Sequence, residues 1–70
     1  MQFDLASIEY GDTPERGRMA VVSFKVEDPP VQDFTIEVLV EGYDDPNECV
    51  RAAKLKVQAL ALHLAEASAA

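Results

Sequence analysis

Residues 31–50, VQDFTIEVLVEGYDDPNECV, decide the fold, because a strand ends and a helix begins within them. Apolar and polar side chains alternate over 31–42, which predicts a strand with one face on a core and one face in water. The predicted inward side chains are Phe34, Ile36, Val38 and Val40. The predicted outward ones are Asp33, Thr35, Glu37 and Glu41, and Leu39 is an apolar exception on that side.

The segment EGYDDPNECV (41–50) packs four carboxylates and the lone cysteine together, which raises the question of a metal or catalytic site. A structural interpretation explains the same residues. Asp45 suits the N-cap of a helix, Pro46 the first helical position and Glu48 the third, which together form a capping box. The pattern therefore favours a helix start over a site.

The predicted helix runs to about Ala67, since the segment is rich in Ala and Leu and contains neither Gly nor Pro after residue 46. A helix of that length spans about 33 Å, close to the length of a ten-residue strand. We therefore expect it to cover one face of the sheet. Its predicted core-facing side chains are Val50, Ala53, Val57, Leu60, Ala61 and Leu64.

Two further strands precede residue 31. FDLASIEY (3–10) predicts a strand whose apolar residues change phase, as at a β-bulge or in a strand whose two halves pack differently. GDTPERG (11–17) predicts a loop, RMAVVSFKVE (18–27) a second strand, and DPP (28–30) a break. The predicted fold is α+β: a single domain over 1–70 with a three-stranded antiparallel meander, order 1-2-3, and one long C-terminal helix packed on one face (βββα).

Composition limits how so small a chain is stabilised. The protein has 70 residues and a net charge of −7, with one cysteine (Cys49) and one histidine (His63). An internal disulfide and a Cys/His zinc site within one chain are therefore both excluded, and we interpret Cys49 as a core residue and His63 as structural. A core of this size supplies only about 3–5 kcal/mol, so a second subunit is the expected source of further stability.

The helix carries a second apolar stripe on the side away from the predicted core. This stripe, Ala52, Leu55, Ala59 and Leu62, is a candidate interface, because small alanines beside leucines allow another backbone to approach. The alternative is that exposed leucines are ordinary on any protein surface. A smaller candidate patch lies on the outer sheet face at Met19, Val21 and Leu39.

Charge is unevenly distributed along the chain. Residues 1–45 contain eleven acidic and three basic residues, a net −8, whereas the remainder carries +1. This balance argues against direct nucleic-acid binding, which requires Lys and Arg, and no segment is long and apolar enough to span a membrane. The acidic surface is either a solvated face or one that docks a basic protein. With no basic leader at the amino terminus, we expect a cytoplasmic protein.

No nucleophile motif, phosphate-binding loop or metal-ligand spacing is evident, so the sequence predicts neither an enzyme nor a cofactor. We expect a non-enzymatic protein-interaction module that acts as a small homo-oligomer, most simply a dimer, and binds another protein. The alternative is a small acidic inhibitor or nucleic-acid mimic, of the type carried by phages and mobile elements, that occludes a basic protein surface.

Three strands followed by a helix, with FTIEVLVEGY leading into DPNECVRAAKLKVQALAL, are loosely similar to the HicB-type antitoxin module. In that family a small sheet also leads into a helix that begins with acids and alanines. The glycine turns of that module are not evident in this sequence, so the resemblance implies an overall arrangement and no functional residue.

Overall fold

The computed structural model describes residues 1–28 and 32–69 and contains three strands and one helix. The strands are β1 (Gln2–Thr13), β2 (Gly17–Asp28) and β3 (Gln32–Glu41), and the helix is α1 (Pro46–Ala69). The strands form one antiparallel sheet in the order β1-β2-β3. The predicted βββα architecture is confirmed. The predicted break at 28–30 lies mainly outside the described residues, although Asp28 itself still belongs to β2.

A bulge at Ala6 reconciles the two halves of β1 with one core. Leu5 pairs with Phe24 and Ser7 pairs with Ser23, so Ala6 is the extra residue. Because paired residues on adjacent antiparallel strands share a face, the bulge brings the larger apolar residues on both sides of it to the same side of the sheet. The phase change in the sequence is thus confirmed as a bulge. The side chains brought together are Phe3, Leu5, Ile8 and Tyr10.

The turn between β1 and β2 is shorter than the predicted loop at 11–17, since the strands extend to Thr13 and resume at Gly17. The Thr13 hydroxyl accepts a hydrogen bond from the Arg16 amide and donates one to the Gly17 carbonyl, both at 3.1 Å. Gly17 has a φ of 73°, a conformation that glycine adopts without a Cβ clash. This local bonding lets both strands continue into the segment whose composition resembles a loop.

The core lies between the middle of the sheet and the first half of α1. We call the helix side of the sheet the inner face and the opposite side the outer face. Phe24 is completely buried and is the largest such side chain. The other members of the core cluster are Ala20, Val22, Val40, Cys49 and Ala53, with Ile8, Val38, Val50, Ala52 and Val57 packed partly against it. The predicted role of Cys49 as a core residue is confirmed.

Helix α1 begins as the capping pattern predicts. The Asp45 carboxylate accepts a hydrogen bond from the Asn47 amide at 2.9 Å, and the Asp45 carbonyl accepts from the Glu48 amide at 3.0 Å. The predicted capping box itself does not form, because the Asp45 carboxylate accepts from Asn47 instead of Glu48, and the Glu48 carboxylate is bonded to Arg51 at 3.2 Å. The acidic segment therefore starts the helix, as predicted.

The packing of α1 against the sheet ends at Val57, and the expectation that the helix covers the whole inner face is wrong. Cys49 and Ala53 are buried and Val57 is half-buried, whereas every described residue from 58 to 69 is exposed. The helix is long enough to span the sheet, but length alone does not fix its direction. The predicted core positions Leu60, Ala61 and Leu64 are therefore exposed.

Candidate interaction surfaces

The second half of α1, residues 58–69, is a mainly apolar helix segment in which every residue is exposed; we call it the distal helix. Leu60 and Leu64 continue the core-facing stripe, and they are 50% and 57% exposed. Leu62, on the opposite side, is 68% exposed. Most helical stability in proteins comes from tertiary packing, so a helix whose apolar side chains face water on both sides is only weakly stabilised. Another surface is needed to bury these leucines.

The inner face of the sheet also has an uncovered end, which we call the open sheet end and define by Phe3, Leu5 and Phe34. Their exposed fractions are 38%, 49% and 47%. Phe3 and Phe34 face each other across β2, because both pair with Val26. Single exposed apolar residues are ordinary, but a contiguous group on one face is typical of an interaction site.

A depression separates the helix from the start of β1. It has a volume of about 430 Å³ and is lined by Met1, Phe3, Lys54, Val57 and Gln58. It begins at Val57, where the packing of α1 on the sheet ends. The open sheet end and the distal helix are therefore connected through one apolar recess.

The total exposed surface is larger than that of a typical compact protein of this mass, as the exposed apolar residues of the distal helix and the open sheet end suggest. The accessible surface is 5321 Å², which exceeds by about 1,000 Å² the value expected for a compact monomer of this mass. The radius of gyration is 13.6 Å, compared with about 11 Å expected for a domain of this length. The excess is similar to the area that one partner contributes to a standard protein interface, roughly 800 Å².

The predicted stripe on α1 is only partly available. Leu55 and Leu62 are prominently exposed and Ala59 is exposed, as a contact surface requires. Ala52 is different, because it packs partly against the core. The accessible part of this stripe thus runs from Leu55 along the distal helix.

The smaller predicted patch on the outer face is less accessible. Met19 is only 7% exposed, and Val21 is half-buried. Met19 and Leu39 line a depression of about 300 Å³ together with the β1–β2 turn (Thr13–Arg16). Leu39 is therefore the accessible member of this patch.

The outer face is predominantly acidic. The strand register brings Asp4, Glu9, Asp33, Glu37 and Glu41 to this side, and all five are exposed. Lys25 lies among them and is bonded to Glu27 at 3.0 Å, which raises the pKa of the Lys25 ammonium above its ordinary value. The single lysine leaves the face strongly negative.

The acidic turn before α1 is fixed by structural contacts. Arg18 is bonded to Asp44 at 3.2 Å and lies 4.5 Å from the ring centre of Tyr10. The Tyr10 hydroxyl lies 3.7 Å from the Cys49 sulfur, and this hydrogen bond, with partial desolvation, raises the pKa of the Tyr10 phenol. Among residues 1–28 and 32–69, no group of His, Cys, Asp and Glu side chains is arranged to hold a metal ion.

The sequence interpretation missed the open sheet end as a surface. Alternation predicts Phe34 as a core residue, and the pattern of residues 3–10 predicts Phe3 and Leu5 as strand residues without a site. Alternation reports which face a residue occupies but not whether a helix reaches that part of the face. The sequence of the distal helix, QALALHLAEASA, is mainly apolar. This composition is the signal that could have indicated a helix segment whose apolar side chains require a partner.

Comparison with known proteins provides no information about the function of this chain. The chain matches no protein-family model, and neither a curated protein nor a solved structure matches it. The resemblance to the HicB-type antitoxin module is thus not supported by any match. Within the described residues, no helix has the length and apolar character needed to cross a membrane.

Proposed function

We propose that this protein is a non-enzymatic interaction module that works as a homodimer, with the distal helix as its principal contact element. The observation that carries the proposal is the exposure of leucines on opposite sides of the distal helix, Leu60 on one side and Leu62 on the other. Leu55, one turn before this segment, extends the exposed stripe of Leu62. A helix that is apolar on both sides is expected to be buried between other elements.

The energetics favour association. Burying one leucine side chain contributes roughly 1.5–3 kcal/mol, and a two-fold interface counts each contact twice. Such gains offset the loss of translational and rotational freedom on binding, for which estimates begin at about 4 kcal/mol. The same burial supplements a core too small to be comfortably stable alone.

The test compares the mass of the wild type with that of the double variant Leu55→Glu/Leu62→Glu by light scattering over a wide dilution range. We expect a dimeric wild type and a monomeric double variant. The control, Gln2→Glu/Thr35→Glu, adds the same two charges at exposed outer-face positions and is expected to stay dimeric. A wild type that is monomeric at the highest concentration contradicts the proposal.

A second candidate function uses the outer face. This face carries five exposed carboxylates and one lysine, which is paired with Glu27. Such a negative surface attracts a basic protein surface. On this proposal the protein is an acidic inhibitor or nucleic-acid mimic that occludes such a surface. Its action would not require the distal helix, because the two features lie on opposite sides of the sheet.

Salt dependence separates the two candidates. For the acidic inhibitor, a lysine-rich peptide should bind at low salt, and its affinity should fall steeply as salt screens the charges. The triple variant Glu9→Gln/Glu37→Gln/Glu41→Gln should lose most of that binding. An affinity that does not change with salt or with these substitutions would exclude the outer face as the binding site.

A further inference from the structure

We infer that the distal helix of each copy inserts between the distal helix and the open sheet end of a second copy, so that each chain completes the inner face of the other. This inference rests on the proposed homodimer and specifies its geometry. The occupant of the recess is a second copy of this chain, and the contact is reciprocal.

The recess lies between two mainly apolar walls, and Lys54 and Gln58 also line the depression between them. One wall is the side of the distal helix that bears Leu60 and Leu64, which continue the spacing of Ala53 and Val57 and therefore face the same way. The other wall is the open sheet end, where Phe3 stacks on the buried ring of Phe24 with centroids 4.7 Å apart. Between α1 and the start of β1 lies the depression lined by Met1, Phe3, Lys54, Val57 and Gln58, so the helix does not close on the sheet there.

A helix is the element that suits this recess. The distal helix is apolar on the side of Leu60 and Leu64 and also on the side of Leu62. A helix inserted between another helix and a sheet contacts both walls and requires apolar side chains on both sides. The distal helix of a second copy meets that requirement. The excess of about 1,000 Å² of exposed surface per chain also agrees with the roughly 800 Å² per partner of a standard interface.

Charge favours a second copy at this position and disfavours one elsewhere. The chain carries a net charge of −7, and the exposed carboxylates of the outer face would repel the same face of another copy. The distal helix contains only one acid, Glu66, and no lysine or arginine. It therefore approaches the inner face of another copy with little like-charge repulsion.

A reciprocal contact between two copies also produces a closed assembly. If each chain supplies one distal helix and receives one, a two-fold axis satisfies both sites and leaves neither open. A one-directional contact would leave an unoccupied recess at one end and an unburied helix at the other, and would extend into a filament. We therefore expect a dimer with two identical junctions, each formed by the distal helix of one chain and the recess of the other.

Charge complementation between two variants tests the geometry. The Leu62 side of an inserted helix faces the open sheet end, because two-fold symmetry places the Leu60 and Leu64 sides of the two helices against each other. Phe34→Glu disrupts the open sheet end in both junctions of its dimer, and Leu62→Lys disrupts the distal helix in both junctions of its dimer. In a mixed dimer, one junction pairs the new glutamate with the new lysine, and the other retains the native Phe34 and Leu62. We expect each variant alone to be monomeric and their equimolar mixture to recover a dimer by sedimentation velocity.

Both positions are exposed in the monomer, so neither substitution is expected to unfold it, and circular dichroism checks this. The control is Thr35→Glu, which changes the residue after Phe34 in sequence, on the outer face of the sheet. This variant should remain dimeric. If both single variants stay dimeric, the inferred geometry is wrong while the proposed homodimer stands. If the mixture stays monomeric, the reciprocal contact is likewise overturned. A monomeric wild type would refute the proposed function and the inference together.

Discussion

The ring of Phe3 stacks on the ring of Phe24 with their centroids 4.7 Å apart, yet Phe24 is fully buried and Phe3 is 38% exposed. This pair marks the boundary of the part of the inner face that α1 covers. On the Phe24 side, the first half of the helix closes the core. On the Phe3 side, the sheet presents apolar residues that the rest of the described chain, 1–28 and 32–69, leaves exposed, and this difference underlies the proposed dimer.

The close approach of Gly42 to Arg18 predicts a destabilising substitution. A Cβ at Gly42 would lie 2.7 Å from Cγ of Arg18 and 3.0 Å from its backbone carbonyl carbon and oxygen. The Gly42 amide also donates to that carbonyl oxygen at 2.9 Å, so the backbones have little freedom to separate. We expect Gly42→Ala to lower the free energy of unfolding by about 1–3 kcal/mol in urea denaturation.

Gly11 provides the matched control for Gly42. A Cβ there meets nothing within 4 Å, and its φ is not in the left-handed region. Gly11→Ala should therefore leave stability unchanged or raise it by about 0.4–1 kcal/mol through the unfolded state. Equal effects at both glycines would show that the approach at Gly42 is not a structural constraint.

The N-cap bond at Asp45 predicts a moderate loss of stability. Asp45→Ala removes the carboxylate that accepts from the Asn47 amide, and N-cap replacements cost about 0.5–2 kcal/mol. The control is Asp4→Ala, at an exposed position on the outer face. Its effect should be within about 0.5 kcal/mol. Micromolar binding of a divalent ion by the wild type, abolished by Asp45→Asn, would instead identify the acidic turn as a metal site.

A charge placed in the core should unfold the protein. Val22 is completely buried at the centre of the inner face, so Val22→Asp would bury an unpaired carboxylate. We expect loss of the folded circular dichroism spectrum. Thr35→Asp, at an exposed outer position, should retain it. If both variants fold equally well, the assignment of the inner face is incorrect.

Local patterns predicted most of the fold. Alternation in β3 placed its side chains on the correct faces, the phase change in β1 indicated the Ala6 bulge, and the segment Asp45–Glu48 marked the helix start. These features were predictable because each depends on residues close together in sequence. The length of the β1–β2 turn was not, since the Thr13 side-chain bonds and the Gly17 conformation replace what composition suggests is a loop.

The direction of the helix could not be predicted from its sequence. The stripe that contains Ala53, Val57 and Leu60 is continuous, so periodicity assigns all three to one core. In the structure the contact with the sheet ends at Val57, and Leu60 is half exposed. The length of the contact depends on residues far apart in sequence, and one contact between the two elements is the hydrogen bond from the Lys56 ammonium to the Leu39 carbonyl at 2.8 Å. The periodicity of the helix alone contains no information about such contacts.

Amide hydrogen exchange of the wild type at high concentration tests the central claim, burial of the distal helix by a second copy, most directly. Helical amides that pack against nothing open locally and exchange rapidly, whereas packed ones exchange slowly. The proposed dimer predicts that amides from Leu60 to Leu64 are protected to the same degree as those around Ala53. Protection that ends at Val57, with rapid exchange at Leu60 and beyond, would contradict it.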